Sequence, residues 1–236
     1  MNTLIDTSRT VGDLVTEREA RADIFESLGI DFCCGGRRTL KQACREASVP
    51  VCRVLDKLAA ADTAAIDAPA VNWSRASMSD LIDNIVSTHH VFLRRELPAL
   101  YARLDKVCLV HGDGHPELLE IRALFRQLRR ELEDHMAKEE IDVFPACKAI
   151  ELRPGAARKE GLADAIGQLE TEHARVGETI HAIRRLSASY AVPKDGCRTY
   201  RLVMEGLARL EQNTHHHVHK ENNILLVKAR KASQKL

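Results

Sequence analysis

Aromatic residues are scarce in this chain of 236 residues, with one Trp, three Tyr and five Phe, so aromatic groups cannot dominate a binding site. Neither sign of charge prevails: 35 Lys and Arg stand against 34 Asp and Glu. That balance gives no electrostatic basis for a nucleic-acid or membrane-surface partner and leaves a small polar or gaseous ligand open. No apolar run approaches the roughly 20 residues of a membrane span. The opening MNTLIDTSRT has neither the basic nor the apolar region of a signal peptide, so a soluble, unexported chain is expected. The seven cysteines are odd in number and follow no framework spacing, which fits free thiols in the cytoplasm. Strand alternation of useful length and internal repeats are also missing.

What is present is helical periodicity and histidine. Residues 1–61 read as a small helical domain of short pieces, TVGDLVTER, RADIFESLG with Gly29 as a left-handed cap, and TLKQACREAS, in which Thr39 and Gln42 can form a capping box. DFCCGG lies between its helices. Residues 62–76, small-residue-rich and containing Pro69, read as a linker. Residues 77–236 then form a second domain of four long helices, near 79–110, 116–149, 162–190 and 198–230. Short connections between long amphipathic helices predict an all-α, up-down-up-down four-helix bundle. Pro98 predicts a kink in the first.

Each bundle helix has an apolar stripe, and each stripe is interrupted by histidine. The second runs Ile121, Phe125, Leu128, Leu132, then His135, Glu139 and Val143. The fourth runs Val203, Leu207, Leu210, Thr214, then His217, Glu221 and Ile224. His173 takes a stripe position in the third, and His90, narrowly preferred to its neighbour His89, does so in the first. One core histidine is ordinarily a hydrogen-bonded imidazole. Four of them at equivalent positions point instead to metal ligation.

The glutamates strengthen that reading. An ionised carboxylate buried without a partner costs several kcal/mol or shifts its pKa until it is neutral. A bound cation removes the cost, and the i, i+4 spacing of His135/Glu139 and His217/Glu221 aims each pair at the bundle axis. Two carboxylates can bridge two ions, and an imidazole and carboxylate set suits iron, manganese or zinc. His111, at the end of the first helix beside GDG, could fold back over the site, and His115 from the same loop is the alternative. His181, His215, His216 and His219 are expected at the surface or supporting the ligands.

HMAKEE, ETEH and HVHKENN, together with DFCCGG, resemble the Repair of Iron Centers family of hemerythrin-like di-iron proteins over nearly the whole chain. The resemblance implies that His90, His135, His173 and His217 bind iron, that His111 completes five histidines, and that Glu139 and Glu221 bridge two iron ions. It also favours His90 over His89, through the spacing to Leu97-Pro98. Leu169 stands where oxygen-carrying hemerythrins have a second histidine, and Glu221 replaces a more distant Asp, so oxygen transport is the weaker reading. The family's usual Phe-Pro is replaced in NNILLVKAR, which bears on the end of the fourth helix.

The implied function is repair of iron–sulfur clusters damaged by nitrosative or oxidative stress, with damaged iron–sulfur proteins and nitric oxide or peroxide as partners. Iron donation and nitric oxide reduction by a di-iron oxidoreductase are both open, as is a homodimer. Cys33 and Cys34, on a Gly-Gly turn before the Thr39 helix, are expected to gain thiolate character from the helix terminus and to carry iron or nitric oxide to a client. The alternative is a hemerythrin-like oxygen, nitric oxide or redox sensor. Cys44, Cys52, Cys108, Cys147 and Cys197 are read as small apolar residues without function.

Overall fold

A computed structural model describes residues 5–64, 72–153 and 161–234. The Pro69 part of the expected linker and most of the LRPGAARKEG connection lie outside the described residues. Within them every extended element is helical, apart from a lone antiparallel bridge between Thr10 and Thr39. The chain divides into two compact units. One joins the residues through Ile82 with a short piece from Ile150 and with the residues from His215 onward. The other comprises Asp83–Ala149 and the residues from the third bundle helix to Thr214.

The first unit begins with α1 (Val11–Glu17), α2 (Arg21–Ser27), α3 (Leu40–Glu46) and α4 (Val51–Ala64). Thr10 caps α1 by accepting from the Asp13 N–H. Thr39 and Gln42 form the expected reciprocal box at α3, and Gly29 takes φ +67° where α2 has ended. These helices are too short to persist alone. They are held by a core of Leu14, Phe25, Phe32, Leu40, Val54 and Leu58, to which Val218 from the carboxy-terminal segment also belongs.

One buried cation fastens this core. Arg21 donates to both carboxylate oxygens of Asp62 at 3.0 and 2.6 Å, to Glu17 at 2.7 Å and to the Leu14 carbonyl at 3.1 Å. One guanidinium therefore ties α1, α2 and α4, using the fixed fork that lysine lacks.

The four bundle helices are assembled from shorter α segments. α5 (Met78–Asn84) passes through a π-helical turn, Ile85–His90, into α6 (Val91–His111). α7 (Glu117–Lys138) passes through Glu139–Val143 into α8 (Phe144–Leu152). α9 (Leu162–Leu186) is uninterrupted, and α10 (Arg198–Lys220) passes through Glu221–Leu225 into α11 (Leu226–Gln234). The second unit holds most of this bundle. Its core contains Leu93, Leu97, Leu100, Leu104, Ile121, Phe125, Leu128, Val176, Ile180, Val203 and Leu207, among them the stripe residues read from periodicity in the second and fourth bundle helices.

α6 runs through Pro98 without a break. The third helix stops at Leu186, four residues short of the expected 190, because Ala188, Ser189 and Tyr190 take φ of 47°, 59° and 64°. L-residues occupy that left-handed region only when local bonds compensate. Here the Ser187 hydroxyl accepts from the Tyr190 N–H at 3.1 Å, and the Arg184 carbonyl accepts from Ser189.

Arg21→Ala removes the shared fastener of α1, α2 and α4 and leaves Asp62 without its principal partner. A loss of about 3 kcal/mol is expected, the lower end for breaking a buried pair because Asp62 keeps some solvent contact. Denaturant unfolding against wild type measures it.

Candidate metal centre

The second unit brings three of the anticipated histidines together around one anticipated carboxylate. His90 closes the first π-turn, and Glu139 opens the second. His90 Nε2 lies 3.4 Å from one oxygen of Glu139, and His135 Nε2 lies 3.2 Å from the other. His173 Nε2 is 2.9 Å from His135 Nε2. The ligand atoms of His135, Glu139 and His173 lie within 4.8 Å of one another. His90, not the adjacent His89, faces Glu139.

The opposite ring nitrogens are also engaged. His90 Nδ1 meets Glu140 at 2.6 Å, and the other Glu140 oxygen accepts from Arg94 at 2.8 Å. His135 Nδ1 meets Glu172 at 2.8 Å, and Glu172 accepts from Lys138 at 2.6 Å. Burial acts to raise both carboxyls, but Arg94 with His90, and His135 with Lys138, hold Glu140 and Glu172 below the ordinary carboxylate value. An ionised carboxylate at Nδ1 calls for the proton there, which leaves Nε2 as a lone pair facing Glu139. Glu140 and Glu172 had no signal in the sequence, because each meets its histidine across helices.

Glu139 is fully buried and neither of its oxygens accepts a hydrogen bond. An anion enclosed among imidazole lone pairs is unstable by itself, and a divalent cation satisfies all these groups at once. The residues therefore fit a metal, of the class that takes nitrogen and oxygen donors.

In the first unit the helix that began as α10 carries His217 and Glu221 on the stripe of Val203, Leu207, Leu210 and Thr214. Both are buried, His217 Nε2 lies 2.9 Å from the Glu221 carboxylate, and Glu221 opens the third π-turn. All three π-turns among the described residues thus begin or end on a proposed ligand, in keeping with the association of such turns with functional sites.

His111 does not join them. It ends the 21-residue α6 that starts just after His90, about 30 Å along the axis at 1.5 Å per residue. A continuous helix cannot fold that end back, and the His111 ring instead packs 5.6 Å from Tyr200. His115 lies beside it and pairs with Asp195 and Glu117, both at 3.1 Å. Neither histidine serves the Glu139 centre.

That distant corner also changes the reading of Cys197. It is exposed, it immediately precedes α10, and its Sγ accepts from the Tyr200 N–H at 3.4 Å. This bond, with the adjacent His111 imidazole, holds the thiol down at about 7. Of the remaining histidines, His181 is exposed, His215 pairs with Glu26 at 2.9 Å, and burial pushes His219 down to about 4.

The Cys33–Cys34 turn is organised by Asp31. Its carboxylate accepts from the N–H groups of Cys33, Cys34 and Gly35 at 3.1, 3.0 and 2.8 Å, and from the Cys33 thiol at 3.3 Å. Asp31, Cys33 and Cys34 place one donor atom each within 4.8 Å of one another. The thiolate expected at Cys33 is not found. The neighbouring Cys34 sulfur, then burial and the Asp31 carboxylate, push the Cys33 thiol well above its usual range. α3 gives no help, because it begins only at Leu40 and the Thr39 hydroxyl already caps it. Cys33 is buried and Cys34 is exposed.

Residues 7–62 match the model of ScdA_N, a domain of unknown function (DUF542), and residues 81–229 match the hemerythrin HHE cation binding domain. The iron-sulfur cluster repair protein ScdA of Staphylococcus haemolyticus is 34% identical over 225 residues, 95% of this chain and 99% of its own. The iron-sulfur cluster repair protein YtfE of Musicola paradisiaca is 29% identical over 94% of this chain and 96% of its own. A probable iron-sulfur cluster repair protein of Haemophilus influenzae is 26% identical over 91% and 93%. No described helix is long and apolar enough to cross a membrane.

Glu140→Gln and Glu172→Gln should each weaken metal binding by about 10- to 100-fold, since each removes the charge that orients a ligand imidazole. Competition with a chelator of known affinity measures this. For Cys197 the thiolate is present above about pH 7 and lost below it. Its alkylation, followed by peptide mass spectrometry, should reach half its maximal rate near that pH, and His111→Phe should move the midpoint upward.

Proposed function

The chain belongs to the hemerythrin HHE cation-binding family, in the group that includes the iron-sulfur cluster repair proteins, and from that premise we propose that it is a di-iron protein that restores damaged iron–sulfur clusters. The ligand set in this reading is His90, His135, His173 and His217, with Glu139 and Glu221 as bridges. The observation that carries it is the buried Glu139 carboxylate, which has no hydrogen-bond donor and two imidazole Nε2 atoms facing it. Repair itself is taken from what the relatives are called, and iron is preferred among the metals the donor set accepts because it is the element such clusters lose.

Bound iron would supply exchangeable ferrous ion and reactivity toward nitric oxide or peroxide. The residues of the chain do the rest. Glu140 and Glu172 keep the Nδ1 protons of His90 and His135 and present Nε2 inward. Arg94 and Lys138 balance those outer carboxylates at the surface, so the only uncompensated charge left in this unit's cluster is the one a cation satisfies.

Cys34, exposed beside the protonated Cys33, is the first thiol a client or a ferrous ion would meet. The raised pKa of Cys33 makes it a poor ligand until a metal displaces its proton. It therefore binds cargo without retaining it, which suits transfer better than storage.

Reduced, iron-loaded protein should reactivate a cluster-damaged enzyme without added iron; failure with several such clients would favour the sensor reading. Glu139→Ala should lower metal content while the bundle stays helical by circular dichroism. Changing Cys33 and Cys34 together to Ser should leave the iron content intact and remove most of the repair. Repair at the wild-type rate by that variant would eliminate the transfer role.

A further inference from the structure

The first unit contains a contact that neither the metal ligands nor the thiols explain. Asn223, two residues beyond Glu221, donates its amide N–H groups to the main-chain carbonyls of Phe32 at 3.2 Å and Cys33 at 3.1 Å. Asn222 reaches the same Cys33 carbonyl at 3.5 Å. Two glycines make room for the Asn223 side chain. A Cβ on Gly12 would lie 2.6 Å from Asn223 Oδ1, and one on Gly36 would come closer still. Those glycines are joined to each other, Gly12 N–H donating to the Gly36 carbonyl at 2.9 Å. Phe32, 1% exposed, packs against the rings of His215, His216 and His219. The thiol turn is thus held by Asp31 from within and by the segment around Glu221 from without.

We propose that Asn223 is a positioning residue that couples iron occupancy at Glu221 to the burial of Cys33. This rests on the di-iron transfer reading. Glu221 and Asn223 share one wide turn, closed by the Leu226 N–H donating to the Glu221 carbonyl. Asn222 and Asn223 lie inside that ring, so their direction depends on Glu221 staying where it is. Relaxation of a π-turn to α geometry shifts the register by one residue and swings a side chain by about 100°. Such a swing takes the Asn223 amide off the Phe32 and Cys33 carbonyls. Iron bound by Glu221 holds the turn in its wide form and keeps Cys33 enclosed. Loss of iron frees the turn and exposes the second thiol, so the transfer thiols open when the centre empties.

Residue-resolved alkylation of the full chain by iodoacetamide, read by mass spectrometry, tests this. Cys33 in wild type should react about tenfold more slowly when iron-loaded than after iron removal. In Asn223→Ala it should react fast in both states. Asn222→Ala, which loses the longest of the three bonds to these carbonyls, is the milder variant if Asn223→Ala does not fold and should show a smaller iron dependence than wild type. Cys52 serves as an exposed internal reference. An equal Cys33 rate with and without iron in wild type overturns the coupling, as does full iron dependence in a folded Asn223→Ala. If the Cys33, Cys34 double variant repairs normally while the iron dependence holds, the transfer role fails and the coupling stands.

Discussion

A carboxylate with no hydrogen-bond donor, that of Glu139, is fully buried in the second unit, and the surrounding side chains are organised around that fact. Burying an unpaired anion costs more than a helical bundle of this size can spare. Around Glu139 the groups are layered outward: imidazoles next, then the carboxylates of Glu140 and Glu172, then the cations of Arg94 and Lys138 at the solvent edge. Each layer sets the proton position of the layer inside it. The innermost layer presents lone pairs to an anion, an arrangement that is stable around a cation.

The helices depart from regular α geometry at these side chains. A π-turn widens the helix by one residue and is disfavoured in ordinary sequence. The turns at Ile85–His90, Glu139–Val143 and Glu221–Leu225 each begin or end on a residue of the proposed ligand set. α9, which contributes His173, is α-helical throughout. A turn of that kind changes the direction of the side chains that follow, and in the first unit Asn223, two positions beyond Glu221, reaches the thiol loop.

The thiol turn follows a different electrostatic design from the metal centre. Asp31 uses its carboxylate to gather three backbone N–H groups, which fixes the loop, and the same negative charge adds to the Cys34 contact and the burial that disfavour a thiolate at Cys33. Structural order and thiol acidity are thereby opposed in one residue. Cys197 shows the converse, an exposed thiol whose neighbours are a helix N–H and an imidazole, and its proton is correspondingly easier to remove. Position before a helix was the signal expected to act at Cys33, and it acts at Cys197, because α10 begins at the next residue whereas α3 begins several residues after the cysteine pair.

Periodicity alone was enough to identify four amphipathic helices, their stripes and the interruption of each stripe by histidine, because a helix imposes its spacing on whatever it buries. His135 with Glu139 and His217 with Glu221 were legible for the same reason, each pair being one turn apart on one helix. The capping box at Thr39 and the left-handed Gly29 were legible because they are set by neighbours in the chain. Glu140, Glu172 and Asn223 were not, since their partners arrive from other helices or from a loop nearly two hundred residues away. His111 was misjudged because helix length, a property of the whole element, decides how far one end stands from the other. Local spacing determined which residues could bind a metal, and tertiary packing decided which imidazole nitrogens face inward, which thiol keeps its proton, and what holds the cysteine turn in place.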